Sequence, residues 1–95
     1  MPAYIIAQVT VTDPQKYQEY AKLAGPAGAK YGGKFLARGG NTTLLEGKNP
    51  HQRIVINEFP DVETAKKFYN SPEYQEARSK RLGAADFNMI IVEGA

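Results

Sequence analysis

Arg38 and Glu58 are the charged residues whose positions point most clearly to a site, because each interrupts an apolar run predicted to be a strand. If neighbouring strands place both between the sheet and the helices, the two charges must pair, since an unpaired charge is unstable in a dry interior. That pair would be either a structural ion pair or a site in which the Arg38 guanidinium binds a substrate carboxylate or enolate.

His51 and Asp86 are two further candidates for proton transfer, together with Glu58. His51 is the single histidine and lies in a polar loop; its ordinary pKa near neutrality suits a general base, and the alternative is a surface histidine. Asp86 opens the last predicted strand, where the alternative role is that of a turn residue. One histidine in a chain without cysteine does not make a zinc site. The sequence therefore predicts no metal and no organic cofactor.

Three tyrosines, Tyr31, Tyr69 and Tyr74, are the predicted substrate-binding residues. Their hydroxyl groups could line a small apolar pocket, and the alternative is that they form the edge of the core. The glycine pair Gly39-Gly40 is followed by neither a Lys-Ser pair nor a helix, so it does not match a phosphate-binding motif. A bend in the chain explains that pair.

Composition places the chain among small globular domains. Its 95 residues suffice for one domain, predicted over 1–95, and a net charge of +2 is too small to indicate nucleic-acid binding. The basic cluster Arg78, Lys80 and Arg81 lies beside glutamates and is predicted to be a solvated helix face. The apolar run near the N-terminus is too short for a membrane span. We therefore expect a cytoplasmic protein with neither nucleic acid nor membrane as a partner.

The strands and helices that position the candidate residues are bounded by capping residues, proline and glycine. The predicted strands are 3–11, 34–38, 53–59 and 87–92. Capping residues followed by proline or by apolar spacing predict helices that begin after Asp13, Asp61 and Ser71. We expect the first helix to kink or break at Gly25-Pro26, and the second strand to bend or bulge at 39–41 before continuing over 42–45. The order predicts an α+β, ferredoxin-like βαββαβ fold with an antiparallel sheet.

Apolar residues occupy both faces of the predicted strands, and this predicts a homodimer. In the first strand Ile5 and Ala7 alternate with Tyr4 and Ile6, so neither face is polar. An antiparallel sheet with one solvated face alternates apolar with polar residues. The helices of this fold cover one face, and a second copy of the sheet would cover the other.

The sequence resembles a bacterial family of short proteins known as a domain of unknown function, within the dimeric α/β-barrel superfamily. The likeness rests on Asp13-Pro14, Tyr17, Tyr20, residues 30–40, Leu45-Glu46-Gly47, residues 57–60, residues 68–74, Arg78 and Val92-Glu93-Gly94. Asn57 departs from it, because the family usually has an apolar residue there. The resemblance implies two ferredoxin-like sheets paired face to face as a dimeric α/β barrel. It implies no reaction, since relatives in the superfamily range from cofactor-free monooxygenases to ligand-sensing modules.

Two functions follow from these residues as hypotheses. The first is a cofactor-free enzyme that acts on a small organic acid or aromatic molecule, with Arg38 orienting the substrate and His51, Glu58 or Asp86 moving a proton. The second is a non-catalytic, small-ligand-binding or stress-associated homodimer. A haem-handling protein is a weaker third, because the single histidine lies in a loop.

Overall fold

A four-stranded antiparallel sheet carries three helices in the computed structural model, which describes residues 1–51 and 53–95. The elements in chain order are β1 (Ala3–Val11), α1 (Pro14–Lys30), β2 (Lys34–Arg38), β3 (Arg53–Phe59), α2 (Val62–Tyr69), α3 (Pro72–Arg81) and β4 (Ala85–Glu93). The strands lie in the order β2-β3-β1-β4. The predicted ferredoxin-like α+β fold is confirmed.

The two faces of the sheet have different neighbours. In β1 the side chains of Ile5, Ala7 and Val9 are buried and pack with residues of all three helices, and this side is called the helix face. The intervening Ile6 and Gln8 point to the other side, called the open face. The register of β3 and β4 against β1 extends this alternation across the sheet. The helices therefore cover one face only.

Aromatic rings dominate the core on the helix face. The Phe68 ring centroid lies 5.0 Å from that of Phe59 and 4.8 Å from that of Tyr74. Tyr74 and Phe59 are among the largest fully buried side chains. Stacked and tilted rings at such separations contribute roughly 0.5–1.5 kcal/mol per pair beyond the burial of their area. This cluster joins α2 and α3 to the sheet.

Helix α1 runs unbroken through Pro26, so of the predicted kink or break the break does not occur. Pro26 removes one backbone donor, which leaves the carbonyl of Lys22 without its helical partner. Both residues are exposed, so water can reach that part of the helix. Ala27 and Gly28 next to it are buried, and their packing holds the last turns in place.

The irregularity in β2 lies at Leu36, earlier than the predicted bulge at 39–41. Phe35 pairs with Asn57 and Ala37 with Ile56, so Leu36 is an extra residue in the ladder. Residues 42–45 do not continue the strand, contrary to the expectation. Gly39 ends it instead, with a φ of 74° and with the Arg53 guanidinium in the space that a Cβ atom would need.

All three predicted helix caps are present. The carboxylates of Asp13 and Asp61 accept from the backbone N–H groups of Lys16 and Thr64, at 3.2 and 2.7 Å. Ser71 accepts from the Tyr74 N–H at 3.1 Å. The Ser71 hydroxyl also donates to the Phe68 carbonyl oxygen at 2.6 Å, and thereby joins α2 to α3.

We predict that Asp13→Ala and Ser71→Ala each lower the free energy of unfolding by about 0.5–2 kcal/mol, because a helix-start N–H loses its acceptor. Ser71→Ala should cost more, since it also removes the bond to Phe68. Urea unfolding measures both effects. Asp13→Asn and Ser71→Thr are the matched controls and should keep most of the stability. Unchanged midpoints in the alanine variants would contradict the roles of these caps.

Candidate functional site

A cavity of about 60 Å³ lies between the helix face and the helices. Its inner wall consists of buried apolar and aromatic side chains, among them Ile5, Ala7, Phe68 and Tyr74. Its lining also includes Arg38, which is exposed. The cavity therefore opens on the side of β2 and has an apolar interior. An apolar pocket with a few polar groups is the usual form of a small-molecule site.

Small residues on α1 leave room for this opening. Ala21, Ala24 and Gly25 line the cavity where α1 faces β2. A Cβ atom built on Gly25 would lie 3.3 Å from Nη2 of Arg38, a tight contact. A larger side chain at position 25 would thus push against the arginine. The glycine allows the Arg38 side chain to approach the helix closely.

Two arginines, Arg38 and Arg53, line the cavity from neighbouring strands. The Arg38 guanidinium carbon lies 4.3 Å from the centroid of the Phe35 ring. Arg53 donates from Nε to the Tyr17 hydroxyl at 3.1 Å, with its guanidinium carbon 5.4 Å from the centroid of that ring. Neither arginine has a carboxylate partner within ion-pair distance among residues 1–51 and 53–95. Within the described residues, the two guanidinium groups contact aromatic rings and the Tyr17 phenol instead.

A third arginine, Arg81, packs against Phe87 and Tyr20, two of the aromatic residues that line the cavity. Its side chain is only 7% exposed, and its guanidinium carbon is 3.8 Å from the centroid of Phe87 and 5.4 Å from that of Tyr20. The prediction of a solvated basic helix face is therefore wrong at Arg81, although Lys80 is exposed. The planar guanidinium is weakly hydrated and stacks on aromatic rings, which a lysine ammonium does less well.

Two buried tyrosine hydroxyls lie within hydrogen-bond distance of each other beside Arg81. The Tyr20 and Tyr74 oxygens are 3.0 Å apart, and Nη2 of Arg81 lies 3.5 Å from the Tyr74 oxygen. Burial, followed by the neighbouring Tyr74, raises the pKa of Tyr20 far above its ordinary value. Tyr20 is thus a neutral phenol at physiological pH, so it can form hydrogen bonds but does not act as a base.

Asn57 supplies an amide to the cavity lining from the centre of β3. Its side chain is 7% exposed, and its Oδ1 atom has no hydrogen-bond partner among the residues that the structure describes. A Cβ atom built on Gly28 would lie 3.1 Å from Asn57 Nδ2, so this glycine leaves space for the amide. The resemblance described above leads one to expect an apolar residue at position 57, and this was the signal available in the sequence.

Glu58 and Arg38 lie on opposite faces of the sheet, and the predicted ion pair between them is wrong. Glu58 follows Asn57 in β3, and it points to the open face opposite Lys34 of β2. Arg38 pairs with Val55 and points to the helix face. The extra residue at Leu36 shifts the register by one residue, which turns Arg38 away from the face that Glu58 occupies.

The other two candidates for proton transfer also lie on the open side of the sheet. Asp86 is exposed and pairs with Thr10 in the register of β4 against β1. His51 has Nδ1 2.8 Å from the Thr10 hydroxyl and Nε2 3.2 Å from Nδ2 of Asn88, another open-face residue. The structure therefore brings His51 and Asp86 to one region around Thr10, away from the cavity that Arg38 lines.

The three predicted substrate-binding tyrosines lie in three different places. Tyr74 lines the cavity. Tyr31 lies at the end of α1, where its hydroxyl donates to Glu73 at 3.2 Å and Lys30 forms an ion pair with the same carboxylate. Those hydrogen bonds, with that from Lys30 first, lower the pKa of Glu73. Tyr69 lines a separate depression beside β4. Tyr74 is thus the tyrosine of the three that shares the cavity with Arg38.

No three histidine, aspartate or glutamate side chains are grouped as metal ligands within the described part of the chain. None of its helices is long and apolar enough to cross a membrane.

The family model described as a domain of unknown function, DUF1330, matches residues 2–95. The chain belongs to this family. The resemblance seen in the sequence is therefore confirmed. No curated protein matches the sequence.

Solved structures similar to this chain share its ferredoxin-like fold. A protein of unknown function from Rhodopseudomonas palustris is 23% identical, with a TM-score of 0.79 over 99% of this chain and 82% of that one. A dimeric ferredoxin-like protein of unknown function from Jannaschia sp. CCS1 is 10% identical, with a TM-score of 0.74 over 99% and 100%. SnoaB, a cofactor-independent oxygenase from Streptomyces nogalater, is 14% identical, with a TM-score of 0.68 over 99% and 93%. At these identities the likeness is one of fold.

The separation of Arg38 from Glu58 predicts that their effects on stability are independent. In a double-mutant cycle, the changes in the free energy of unfolding caused by Arg38→Met and Glu58→Gln should add to within about 0.5 kcal/mol, because the two side chains lie on opposite faces of the sheet. Urea unfolding of the two single variants and the double variant measures the coupling. Tyr20→Phe and Tyr74→Phe are the positive control, since their hydroxyls are in contact. A coupling above about 1 kcal/mol between Arg38 and Glu58 would restore the ion pair.

Proposed function

We propose that the protein is a homodimer that binds a small organic acid in the cavity of each protomer. The observation that carries this proposal is the pair of arginines, Arg38 and Arg53, that line an apolar cavity and have no carboxylate partner within the described part of the chain. A carboxylate from outside would supply the missing negative charge. Planar guanidinium groups bind carboxylates through paired, charge-assisted hydrogen bonds.

The lining beyond the arginines supports a compact apolar or aromatic body for that acid. Tyr20, Phe35 and Phe68 present ring surfaces, and Ile5 and Ala7 form the floor on β1. The enclosed volume of about 60 Å³ is smaller than the roughly 150 Å³ of a cavity that binds benzene, so only a short chain or part of a ring fits inside and the rest of the acid would lie in the opening. The acid would place its carboxylate at the open, arginine-lined side and its apolar part against these residues.

Binding is better supported than proton-transfer catalysis by the side chains of the lining. The described lining includes arginines, tyrosines and one asparagine but no carboxylate and no histidine. Arginine stays protonated, and the raised pKa of Tyr20 keeps that phenol neutral. A cofactor-free enzyme that moves a proton needs a group that titrates near neutral pH close to its substrate. The three candidates for proton transfer, Glu58, His51 and Asp86, lie on the other face.

The open face supports the homodimer. Ile56, Ile6 and Ile90 are aligned across β3, β1 and β4 by the register of the sheet. Ile90 is 58% exposed in the single chain, and Val92 of the same strand is 43% exposed. An apolar row on an uncovered sheet is a typical contact surface, and a second copy offers a matching one. That some proteins of this fold are described as dimeric gives further support.

We predict that small carboxylic acids such as benzoate bind the wild-type protein, and that Arg38→Met and Arg53→Met each weaken the binding at least tenfold. Each arginine contributes a charge-assisted hydrogen bond, and such bonds contribute roughly 1.5–3 kcal/mol. Isothermal titration calorimetry gives the dissociation constants.

Lys22→Met is the matched control for this experiment. Lys22 lies on the exposed side of α1, so the variant loses one positive charge without touching the cavity. It should bind as the wild type does. Equal loss in Lys22→Met would show that net charge alone explains the binding, and absence of binding to the wild type would overturn the proposed function.

We predict that Ile90→Asp gives a folded monomer. Ile90 is largely exposed in the single chain, so aspartate there should cost little stability but place an unpaired charge in the sheet-to-sheet contact. Sedimentation of the wild type at micromolar concentration should give about twice the chain mass of 10.5 kDa, and the variant should give one chain mass.

Leu23→Asp controls for the loss of an exposed apolar side chain. Leu23 is partly exposed on α1, away from the open face, and its variant should remain dimeric. A monomeric wild type, or an Ile90→Asp variant that stays dimeric, would contradict the proposed contact.

A further inference from the structure

The buried amide of Asn57 lowers the stability of the protein, and the packing around it does not explain why it is there. Its Oδ1 atom lacks a hydrogen-bond partner in the described structure. A buried acceptor left unpaired costs roughly 1–3 kcal/mol, whereas an apolar side chain of similar shape avoids that cost. The neighbouring Val55 and Phe59 on the same face of β3 are apolar. A leucine at position 57 would therefore suit the core better.

Helix α1 is shaped to admit this amide. Gly28 is buried and lies against Nδ2 of Asn57, where even a methyl group would be crowded. Glycine inside a helix costs roughly 0.5–1 kcal/mol relative to alanine. Gly28 and Asn57 are thus each less favourable for stability than an alanine or a leucine would be. Together they keep an amide in the cavity wall. An amide kept at such a cost is explained by a partner that the free protein lacks.

Asn57 lies close to Arg38 in the sheet. Asn57 is one same-face step along β3 from Val55, and Val55 is the residue opposite Arg38. One such step is about 7 Å. Phe35, opposite Asn57, and Tyr74 supply ring surfaces to the same cavity. Asn57 and Arg38 therefore line one cavity, so a single small molecule can contact both groups.

We infer that the acid bound in this cavity carries a hydroxyl group, and that this hydroxyl donates a hydrogen bond to Oδ1 of Asn57. The inference rests on the proposed function, because the carboxylate end is the one that Arg38 and Arg53 bind. The ligand class is thus a compact hydroxylated carboxylic acid, for which a hydroxybenzoate serves as the probe. Asn57 is a specificity-determining residue, since it distinguishes the hydroxylated acid from its methyl counterpart.

The test compares three acids that differ only at one ring position: benzoate, 4-methylbenzoate and 4-hydroxybenzoate. Methyl and hydroxyl groups are similar in size, so the comparison isolates the hydrogen bond. Calorimetry on the wild-type protein should show 4-hydroxybenzoate binding about tenfold more tightly than 4-methylbenzoate, in the range expected when an otherwise unpaired buried acceptor gains a donor. In Asn57→Leu the preference for 4-hydroxybenzoate over 4-methylbenzoate should disappear or reverse.

The outcomes separate this inference from the proposed function. If none of the three acids binds the wild type, the proposed function fails and the hydroxyl assignment fails with it. If all three bind the wild type equally, the hydroxyl assignment alone is overturned. A hydroxyl preference that persists in Asn57→Leu would also overturn it. Thermal unfolding shows whether the leucine variant folds, and the wild-type comparison stands without it.

Discussion

The packing of all three helices on one face of the sheet is the constraint on which the rest of the structure depends. The helices bury Ile5, Ala7 and Val9 of β1, and between these residues and α1 the small side chains leave a cavity. The same arrangement leaves Ile6 and Ile90 uncovered on the other face. The cavity and the open face are therefore two consequences of one layer architecture. The first can accept a ligand, and the second can accept another sheet.

The extra residue at Leu36 decides which charges share the cavity. Without it, the regular alternation of β2 would place Arg38 opposite Ile54, on the open face with Glu58. With it, Arg38 joins Arg53 on the helix face, and the carboxylate of Glu58 remains outside. A single inserted residue thus separates two charges that could have paired, and leaves Arg38 and Arg53 without a carboxylate partner among the residues that the structure describes. Bulges re-aim side chains in this way beside many functional sites.

The fold could be predicted from the sequence because its signals are local. Asp13-Pro14, Asp61 and Ser71-Pro72 mark helix starts through short-range hydrogen bonds, and alternation within each strand marks the sheet. The site depends instead on contacts between residues distant in the chain. The burial of Arg81 depends on Phe87 and Tyr20, and the face of Arg38 depends on a bulge that no glycine or proline marks. Asn57 was visible as a departure from the expected apolar residue, but the lack of a partner for its amide could be seen only in three dimensions.

Strand β3 contributes to both proposed surfaces at once. Its residues alternate between the cavity side, with Arg53, Val55 and Asn57, and the open side, with Ile54 and Ile56. A slip of one residue would exchange the two sets, so that arginine and asparagine would face the second sheet and Glu58 would enter the core. Burial of that unpaired carboxylate would be strongly unfavourable. The register that places Arg53 and Asn57 in the cavity is thus the same register that keeps the Glu58 carboxylate outside the core. Specificity of folding and specificity of binding therefore depend on the same alternation.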